Sequence, residues 1–260
     1  MQYARSKGFF QVLLTNGTLI NSEIANSLKK IKPRGIEISL LGATPDTHDS
    51  ITGVKGSFAK TIEAIRLLVE RRIVVTTKTT LMSLNVSEYP QIKSLSEKLG
   101  AVPKSGSRVV PRIDGDFCPQ QYKISQEERE RFLHNELLDE SFIPYPDEDS
   151  PGSQTCKAGK MLASINPYGD VSPCVLLPIR LGNLKEKSFK EIWHNAGNKT
   201  LHELRDLKIE DLEKCSSCQL ASLCSRCTGS AYLEHKSLTA PDSSACEDAQ
   251  WKAFQRSKRK

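Results

Sequence analysis

The chain has 260 residues, of which 38% are hydrophobic, with a formal net charge of +6. This length accommodates one large domain, or a medium domain with a small one. It contains no apolar run of the roughly 20 residues that span a bilayer, no signal-peptide pattern and no basic stripe with interleaved aromatics, so we expect a cytoplasmic protein with neither a membrane nor a nucleic acid as partner.

The first half of the sequence alternates strand and helix patterns. Apolar or β-branched runs predict strands at 9–14, 35–41, 73–81 and 107–111. Amphipathic stretches predict helices at 24–31, from Gly56-Ser57 onward and at 87–99. This alternation implies a parallel sheet with right-handed crossovers. Ligands of such sheets gather at the carboxyl ends of the strands, where Asn16, Ser39 and Asn85 fall.

The composition changes after residue 113. Residues 114–152 predict a connector with one helix at 126–138 and a proline-containing linker at its end. Beyond it, Asn166-Pro167-Tyr168-Gly169-Asp170 predicts a hairpin turn between strands at 162–165 and 171–177. Two short amphipathic helices at 187–195 and 199–207 and a terminal helix complete the predicted elements.

Seven of the eight cysteines lie between Cys156 and Cys246. A reducing cytoplasm favours metal ligands over disulfides for such a cluster. A zinc ribbon normally places about 15–20 residues between its two Cys-x-x-Cys pairs. Here only residues 219–223 separate them, and three further cysteines remain unexplained. Seven thiolates divide more naturally into two iron–sulfur clusters, one with four ligands and one with three.

The cysteine spacing resembles that of a known domain. Cys156, Gly169 and Cys174, followed by the cysteines from 215 to 227 and by Cys246, are similar to the SPASM domain of radical S-adenosylmethionine (SAM) enzymes. Gly182-Asn183-Leu184 and the segment 188–193 resemble the stretch between its cysteine groups. In the first half, the segments that resemble successive pieces of the radical SAM barrel are 14–18, 38–40, 48–49 with 56–58, and 78–79 leading to Asn85.

The resemblance implies an α/β fold in three parts: a partial (β/α) TIM-type barrel lacking its first strands at 1–113, a connector helix and linker at 114–152, and a small cysteine-rich SPASM domain at 153–260. It also implies two auxiliary [4Fe–4S] clusters. Cys215, Cys218, Cys224 and Cys246 would hold one, and Cys156, Cys174 and Cys227 the other, with one iron open or ligated elsewhere. The family usually has three residues before the cysteine at 227, where this chain has two. Cys118 is expected to be a non-ligand.

The family's first cluster motif, Cys-x3-Cys-x2-Cys, is absent, and no cysteine precedes Cys118. We therefore expect an N-terminally truncated piece of a longer enzyme, in which SAM and a third [4Fe–4S] cluster are bound. Ser39 resembles the polar residue that meets the SAM ribose, and Asn16 and Asn85 are further candidate contacts. His48 and Asp49 are expected to cap and pack a turn. No catalytic residue is assigned.

The resemblance implies a radical SAM/SPASM oxidoreductase that uses a 5′-deoxyadenosyl radical to modify a peptide or protein side chain, for example by a thioether cross-link. Its partners would be a peptide or protein substrate and a reductant protein of the flavodoxin or ferredoxin type. A sulfatase-type maturase is one alternative. A non-catalytic iron–sulfur or zinc-binding scaffold or electron carrier is another, from a different class.

Overall fold

The computed structural model describes residues 1–133 and 156–258, which form two compact units. Unit 1 contains Met1–Arg108 and residues 122–133, and unit 2 contains Val109–Gln121 and residues 156–258. The predicted linker and the end of the predicted helix at 126–138 lie outside the described residues.

Unit 1 is built on a four-stranded parallel sheet of order β1-β2-β3-β4. Its strands are β1 (Val12–Thr15), β2 (Gly35–Ser39), β3 (Val75–Thr80) and β4 (Val102–Gly106). Its helices are α1 (Gln2–Ser6), α2 (Ser22–Ile31), α3 (Pro45–Thr52), α4 (Ser57–Glu70), α5 (Tyr89–Lys98) and α6 (Gln126–Phe132). The predicted α/β class with a parallel sheet is confirmed.

One face of this sheet forms the core of unit 1. Side chains alternate across a strand, so every second residue of β2 and β3 points to the same face. The core residues on this face and on the helices that cover it are Ala25, Leu28, Ile36, Ile38, Ala64, Ile65, Leu68 and Val75. The residues between them, such as Glu37 and Lys78, lie on the opposite face. In β2 and β3 this second face carries polar side chains.

The strand predicted at 107–111 is wrong, because β4 spans Val102–Gly106. The chain leaves α5 through Gly100, which has a φ of 75°, and pairs with β3 at once, with Lys104 opposite Lys78. Pro103 lowers the apparent strand propensity of this segment. A proline is nevertheless tolerated here because β4 is the last strand of the described sheet.

The predicted connector divides between the two units within the described residues. Ile124 and Leu133 flank α6 and pack against Leu81, Val86 and Tyr89 of unit 1. Gln120, in contrast, belongs to unit 2, where its Nε2 donates to Glu234 Oε1 at 3.2 Å. Packing of apolar side chains against unit 1, rather than linker composition, therefore places α6.

The edge strand β1 and the residues before it expose apolar side chains, including Leu14 at 68% and Phe10 at 89% exposure. An unpaired apolar edge strand promotes association between chains, and a charged residue on it opposes association. We expect Leu14→Lys to slow aggregation several-fold in light scattering at equal concentration. Leu84→Lys, at an exposed position away from this strand, is the control. Equal aggregation of Leu14→Lys and the unaltered chain would contradict the prediction.

Unit 2 combines a small antiparallel sheet with four helices. Its strands are β5 (Ser164–Ile165), β6 (Asp170–Ser172) and β7 (Gly182–Asn183), and its helices are α7 (Phe189–Trp193), α8 (Lys199–Asp206), α9 (Thr228–His235) and α10 (Ser243–Ser257). The hairpin predicted at 166–170 is confirmed by the β5–β6 pairing. β7 and α9 were not predicted, because two residues give no period and α9 has little apolar periodicity.

Asp170 holds this hairpin through hydrogen bonds from Asn183 Nδ2 at 2.8 Å, Arg180 Nε at 2.7 Å and Asn166 Nδ2 at 3.1 Å. These bonds, of which that from Asn183 has the largest effect, lower the pKa of Asp170 from 3.8 to about 2.

Because the pKa of Asp170 is depressed in the folded state, its stabilisation of the fold is complete above about pH 4 and is lost as the pH falls toward 2. We expect Asp170→Asn to lower the free energy of unfolding at neutral pH, with the difference shrinking between pH 4 and 2 in denaturant titrations. A difference that stays constant over that range would contradict this.

Candidate iron–sulfur and cofactor sites

Four of the predicted ligands gather near the start of α10. Asp242 caps this helix, and Cys246 follows in its first turns. Cys224 Sγ lies 3.7 Å from the carbonyl oxygen of Ala245, the residue before Cys246. The turn that carries Cys215 and Cys218 closes with a backbone hydrogen bond of 3.2 Å between them.

The thiols influence one another's ionisation. Burial, followed by the charges of Cys246, Asp242 and Cys215, raises the pKa of Cys224 to about 11. Burial also raises the pKa of Cys246, followed by the charges of Cys215, Asp242, Cys218 and Glu234. Thiolates that oppose one another's ionisation in this way become compatible when a cation lies among them. These four side chains therefore suit a positively charged core.

The other three predicted ligands lie on segments that pack together elsewhere in unit 2. Cys156 and Cys174 both pack against the core cluster of Ala158, Leu177 and Leu204, and Tyr232 of α9 packs against the same cluster. α9 begins directly after Cys227, whose Sγ accepts a hydrogen bond from Ser230 N at 3.5 Å.

Gly229 allows the first turn of α9 to approach the Cys174 turn. A Cβ at this position would lie 2.6 Å from Leu176 Cβ and 3.0 Å from the Leu176 carbonyl. Leu176 follows Cys174 by two residues, and Gly229 follows Cys227 by two. The close approach therefore brings the segments of both cysteines together.

The shortened spacing before Cys227 is accommodated by Arg226. Its guanidinium donates to the carbonyl oxygens of Leu238 at 2.7 Å and Ala240 at 2.6 Å, and to Thr228 Oγ1 at 3.0 Å. These bonds anchor the cysteine segment to the loop before α10. The departure from the family spacing is thus compatible with Cys227 beside the Cys174 turn.

The donor chemistry fits iron–sulfur clusters. None of the eight cysteines, all of which lie within the described residues, forms a disulfide. Within the described part of the chain, no three His, Cys, Asp or Glu side chains are already arranged as a metal-binding group. Binding of the iron–sulfur core is expected to bring the cysteine sulfurs to bonding distance. The assignment of individual ligands stays a prediction.

Cys118 lies outside the segment 156–246 that carries the seven predicted ligands. It is exposed, and Asp116 Oδ1 accepts a hydrogen bond from its backbone N–H at 2.9 Å. The hydrogen bond and negative charge of Asp116 raise the pKa of the Cys118 thiol. The expectation that Cys118 is not a ligand stays a prediction.

The three candidate SAM contacts lie at the carboxyl ends of strands, but their side chains differ in surroundings. Ser39 ends β2 and is partly exposed. Asn16 is exposed, and its Oδ1 accepts from Thr18 N at 3.1 Å. Asn85 is fully buried, and its Nδ2 donates to the carbonyl oxygens of Leu41 and Thr80 at 2.9 and 3.0 Å. These bonds give Asn85 a structural role, and direct contact with a ligand would require breaking them.

His48 and Asp49 organise the turn before α4, as expected. His48 is buried, its Nδ1 accepts from Leu41 N at 3.1 Å, and its ring packs edge-on against Phe58. Burial lowers the pKa of His48. Asp49 accepts hydrogen bonds from Gly56 N, Ser57 Oγ and Phe58 N, of which that from Phe58 contributes most to lowering its pKa.

Sequence reasoning missed two features. Lys78 and Lys104 are directly opposite on β3 and β4, on the polar face of the sheet, and Lys78 Nζ lies 3.6 Å from Glu37 Oε2. Asp242 is almost completely buried in unit 2. The register of β4 was needed to find the first feature. A Pro-Asp-Ser signal for a helix N-cap was available for the second.

The family comparison agrees with both units. Residues 2–94 match the Radical SAM superfamily, and residues 156–219 match SPASM, an iron–sulfur cluster-binding domain. No described helix combines the length and apolar character needed to cross a membrane.

Similar proteins cover most of the chain. An AdoMet-dependent heme synthase of Methanosarcina barkeri is 29% identical over 89% of this chain and 72% of its own length. The subtilosin biosynthesis protein AlbA of Bacillus subtilis is 29% identical over 83% of this chain and 49% of its own. The structure of anSMEcpe with bound AdoMet and the Kp18Cys peptide has the same fold, with a TM-score of 0.64 and 18% identity over 95% of this chain and 74% of that one. The chain therefore carries a segment of the radical SAM superfamily at residues 2–94 and a SPASM iron–sulfur cluster-binding domain at residues 156–219.

Proposed function

We propose that the chain contributes the barrel and auxiliary clusters of an oxidoreductase that modifies a peptide or protein side chain. The proposal is supported by two close approaches in unit 2. Cys224 Sγ lies 3.7 Å from the carbonyl oxygen of Ala245, the residue before Cys246, and Gly229, two residues after Cys227, contacts Leu176, two residues after Cys174. Two sets of cysteine thiols on a SPASM domain, one of four and one of three, support two auxiliary [4Fe–4S] clusters.

SAM bound at a first cluster of the longer enzyme would supply the 5′-deoxyadenosyl radical for hydrogen abstraction. Residues of this chain orient the reactants. Ser39 lies at the carboxyl end of β2, where a parallel sheet binds ligands, and Asp49 and Asn85 hold the neighbouring turns in place. The cysteine ligands of unit 2 hold the clusters that exchange electrons or bind a substrate thiolate.

The relatives support a peptide substrate. AlbA acts in the biosynthesis of the bacteriocin subtilosin, and anSMEcpe binds a peptide in its structure. A flavodoxin- or ferredoxin-type protein is the proposed reductant. A thioether cross-link, or the oxidation performed by a sulfatase-type maturase, is the proposed outcome on the side chain.

Anaerobic reconstitution tests the proposal. The chain is expected to bind about eight irons, with a broad charge-transfer absorption band. It holds no Cys-x3-Cys-x2-Cys, so by itself it is expected to form no 5′-deoxyadenosine from SAM and dithionite. A longer protein that adds this motif in frame is expected to form it in the presence of a peptide substrate. Tight zinc binding without iron uptake would instead support the scaffold alternative.

A second candidate is a reaction on a carboxylate-bearing tetrapyrrole. It is favoured by the AdoMet-dependent heme synthase relatives and by the opposed pair Lys78 and Lys104, because two ammonium groups on one sheet face suit carboxylates. In the assay of the longer protein, stimulation of 5′-deoxyadenosine formation by an iron porphyrin rather than by peptides would select this candidate.

A further inference from the structure

One buried carboxylate connects the two groups of predicted ligands. Asp242 is 1% exposed. Its Oδ2 accepts from Cys227 N at 3.0 Å, and its Oδ1 accepts from Ala245 N at 3.3 Å and Ser230 Oγ at 3.1 Å. A single side chain thus bonds the backbone of one predicted ligand and the residue before another.

The two oxygens act on different helices. Oδ2 holds the N–H of Cys227, the residue that precedes α9, and Oδ1 caps α10, which carries Cys246. A bond between segments 15 residues apart fixes the two helix starts relative to each other. Cys227 belongs to the group with Cys156 and Cys174, whereas Cys246 belongs to the group with Cys215, Cys218 and Cys224.

We propose that Asp242 is a positioning residue shared by both cluster sites, and that its buried negative charge lowers the reduction potential of the cluster beside Cys246. The inference rests on the proposed two-cluster function. Cluster potentials depend on nearby charge and hydrogen bonding, and a buried anion favours the more positively charged, oxidised core. Glu234 adds a second carboxylate at the same helix start, where it accepts from Ser243 N at 3.0 Å.

A simple helix cap would not need an aspartate. Serine caps a helix about as well as aspartate does. Serine at 242 would keep a cap on α10. Its side chain is too short to accept the hydrogen bond from Cys227 N–H at the same time, and it carries no charge. Asparagine keeps the shape but offers one acceptor oxygen, so either Cys227 N–H or Ala245 N–H would face an N–H group. Asp242→Ser therefore keeps the helix cap but removes the bond to Cys227 and the negative charge. Asp242→Asn keeps the side-chain shape but removes the charge and one acceptor oxygen.

The test compares Asp242→Ser and Asp242→Asn with Asp206→Asn, which neutralises an exposed carboxylate of α8. Each full chain is reconstituted anaerobically, its iron is counted, and its cluster potentials are measured by titration monitored by electron paramagnetic resonance. Asp242→Ser is expected to lose about four of about eight irons, from the Cys227 site. In both Asp242 variants, the cluster beside Cys246 is expected to have a more positive reduction potential than in the unaltered chain. Asp206→Asn is expected to match the unaltered chain in both measurements.

The possible outcomes distinguish a failure of the Asp242 proposal from a failure of the proposed two-cluster function. If the unaltered chain binds about eight irons and Asp242→Ser matches it in iron content and potential, only the role of Asp242 is overturned. If the unaltered chain binds no iron, both proposals fail. If circular dichroism shows that Asp242→Ser does not fold, the reduction potential of the cluster in Asp242→Asn becomes the test of the proposal. An unchanged potential in a folded Asp242→Asn protein overturns the proposed effect of the charge.

Discussion

Replacing Cys246 by alanine is expected to remove about four of about eight irons from the anaerobically reconstituted chain. Cys246 is the predicted ligand contributed by α10, and the charges of Cys215 and Cys218 act on it. The other three ligands of this cluster lie in the segment 215–224, so α10 would lose its attachment to the core. We expect iron analysis to show the loss, with a matching decrease in charge-transfer absorption.

Cys118→Ala is the matched control for Cys246→Ala. Cys118 is exposed in the same unit, and its pKa is raised by Asp116. This variant is expected to retain all of its iron. If Cys118→Ala lost as much iron as Cys246→Ala, Cys118 would be a ligand. If Cys246→Ala lost none, the predicted ligand set would be wrong.

Gly229→Ala is expected to destabilise unit 2 and to empty the site of Cys156, Cys174 and Cys227. In an open helix, alanine would be more favourable than glycine by about 1 kcal/mol. Here the added Cβ would meet the Leu176 side chain at 2.6 Å and its backbone at 3.0 Å. Overpacking of this kind costs about 1–3 kcal/mol, and backbone atoms cannot rotate away as a side chain does. The steric cost therefore exceeds the helix gain, and the net effect is a loss of stability.

Denaturant unfolding and iron analysis test this prediction. We expect a lower free energy of unfolding and a loss of about four irons. Gly197→Ala is the matched control, because Gly197 is exposed and an added Cβ would have only the Asn195 side chain near it, at 3.3 Å. It is expected to change stability by no more than about 0.5 kcal/mol. A Gly229→Ala protein that is more stable than the unaltered chain would show that helix propensity outweighs the contact.

The sequence alone was sufficient for the features that depend on local patterns or on residue chemistry. Alternating apolar runs predicted the parallel sheet of unit 1, and the turn at 166–170 predicted the hairpin. The spacing of the seven cysteines indicated the SPASM domain. The side-chain period and the turn residues are read within short stretches, and the cysteine spacing is read along the sequence without knowledge of the fold.

Only the tertiary structure decided which distant segments meet. It paired Lys104 with Lys78, placed α6 on unit 1, brought Gly229 against Leu176, and made Asp242 a bridge between α9 and α10. Such contacts depend on which apolar surfaces pack together and which buried polar groups find partners. Neither is a property of any one stretch of the chain, because both depend on the fold as a whole.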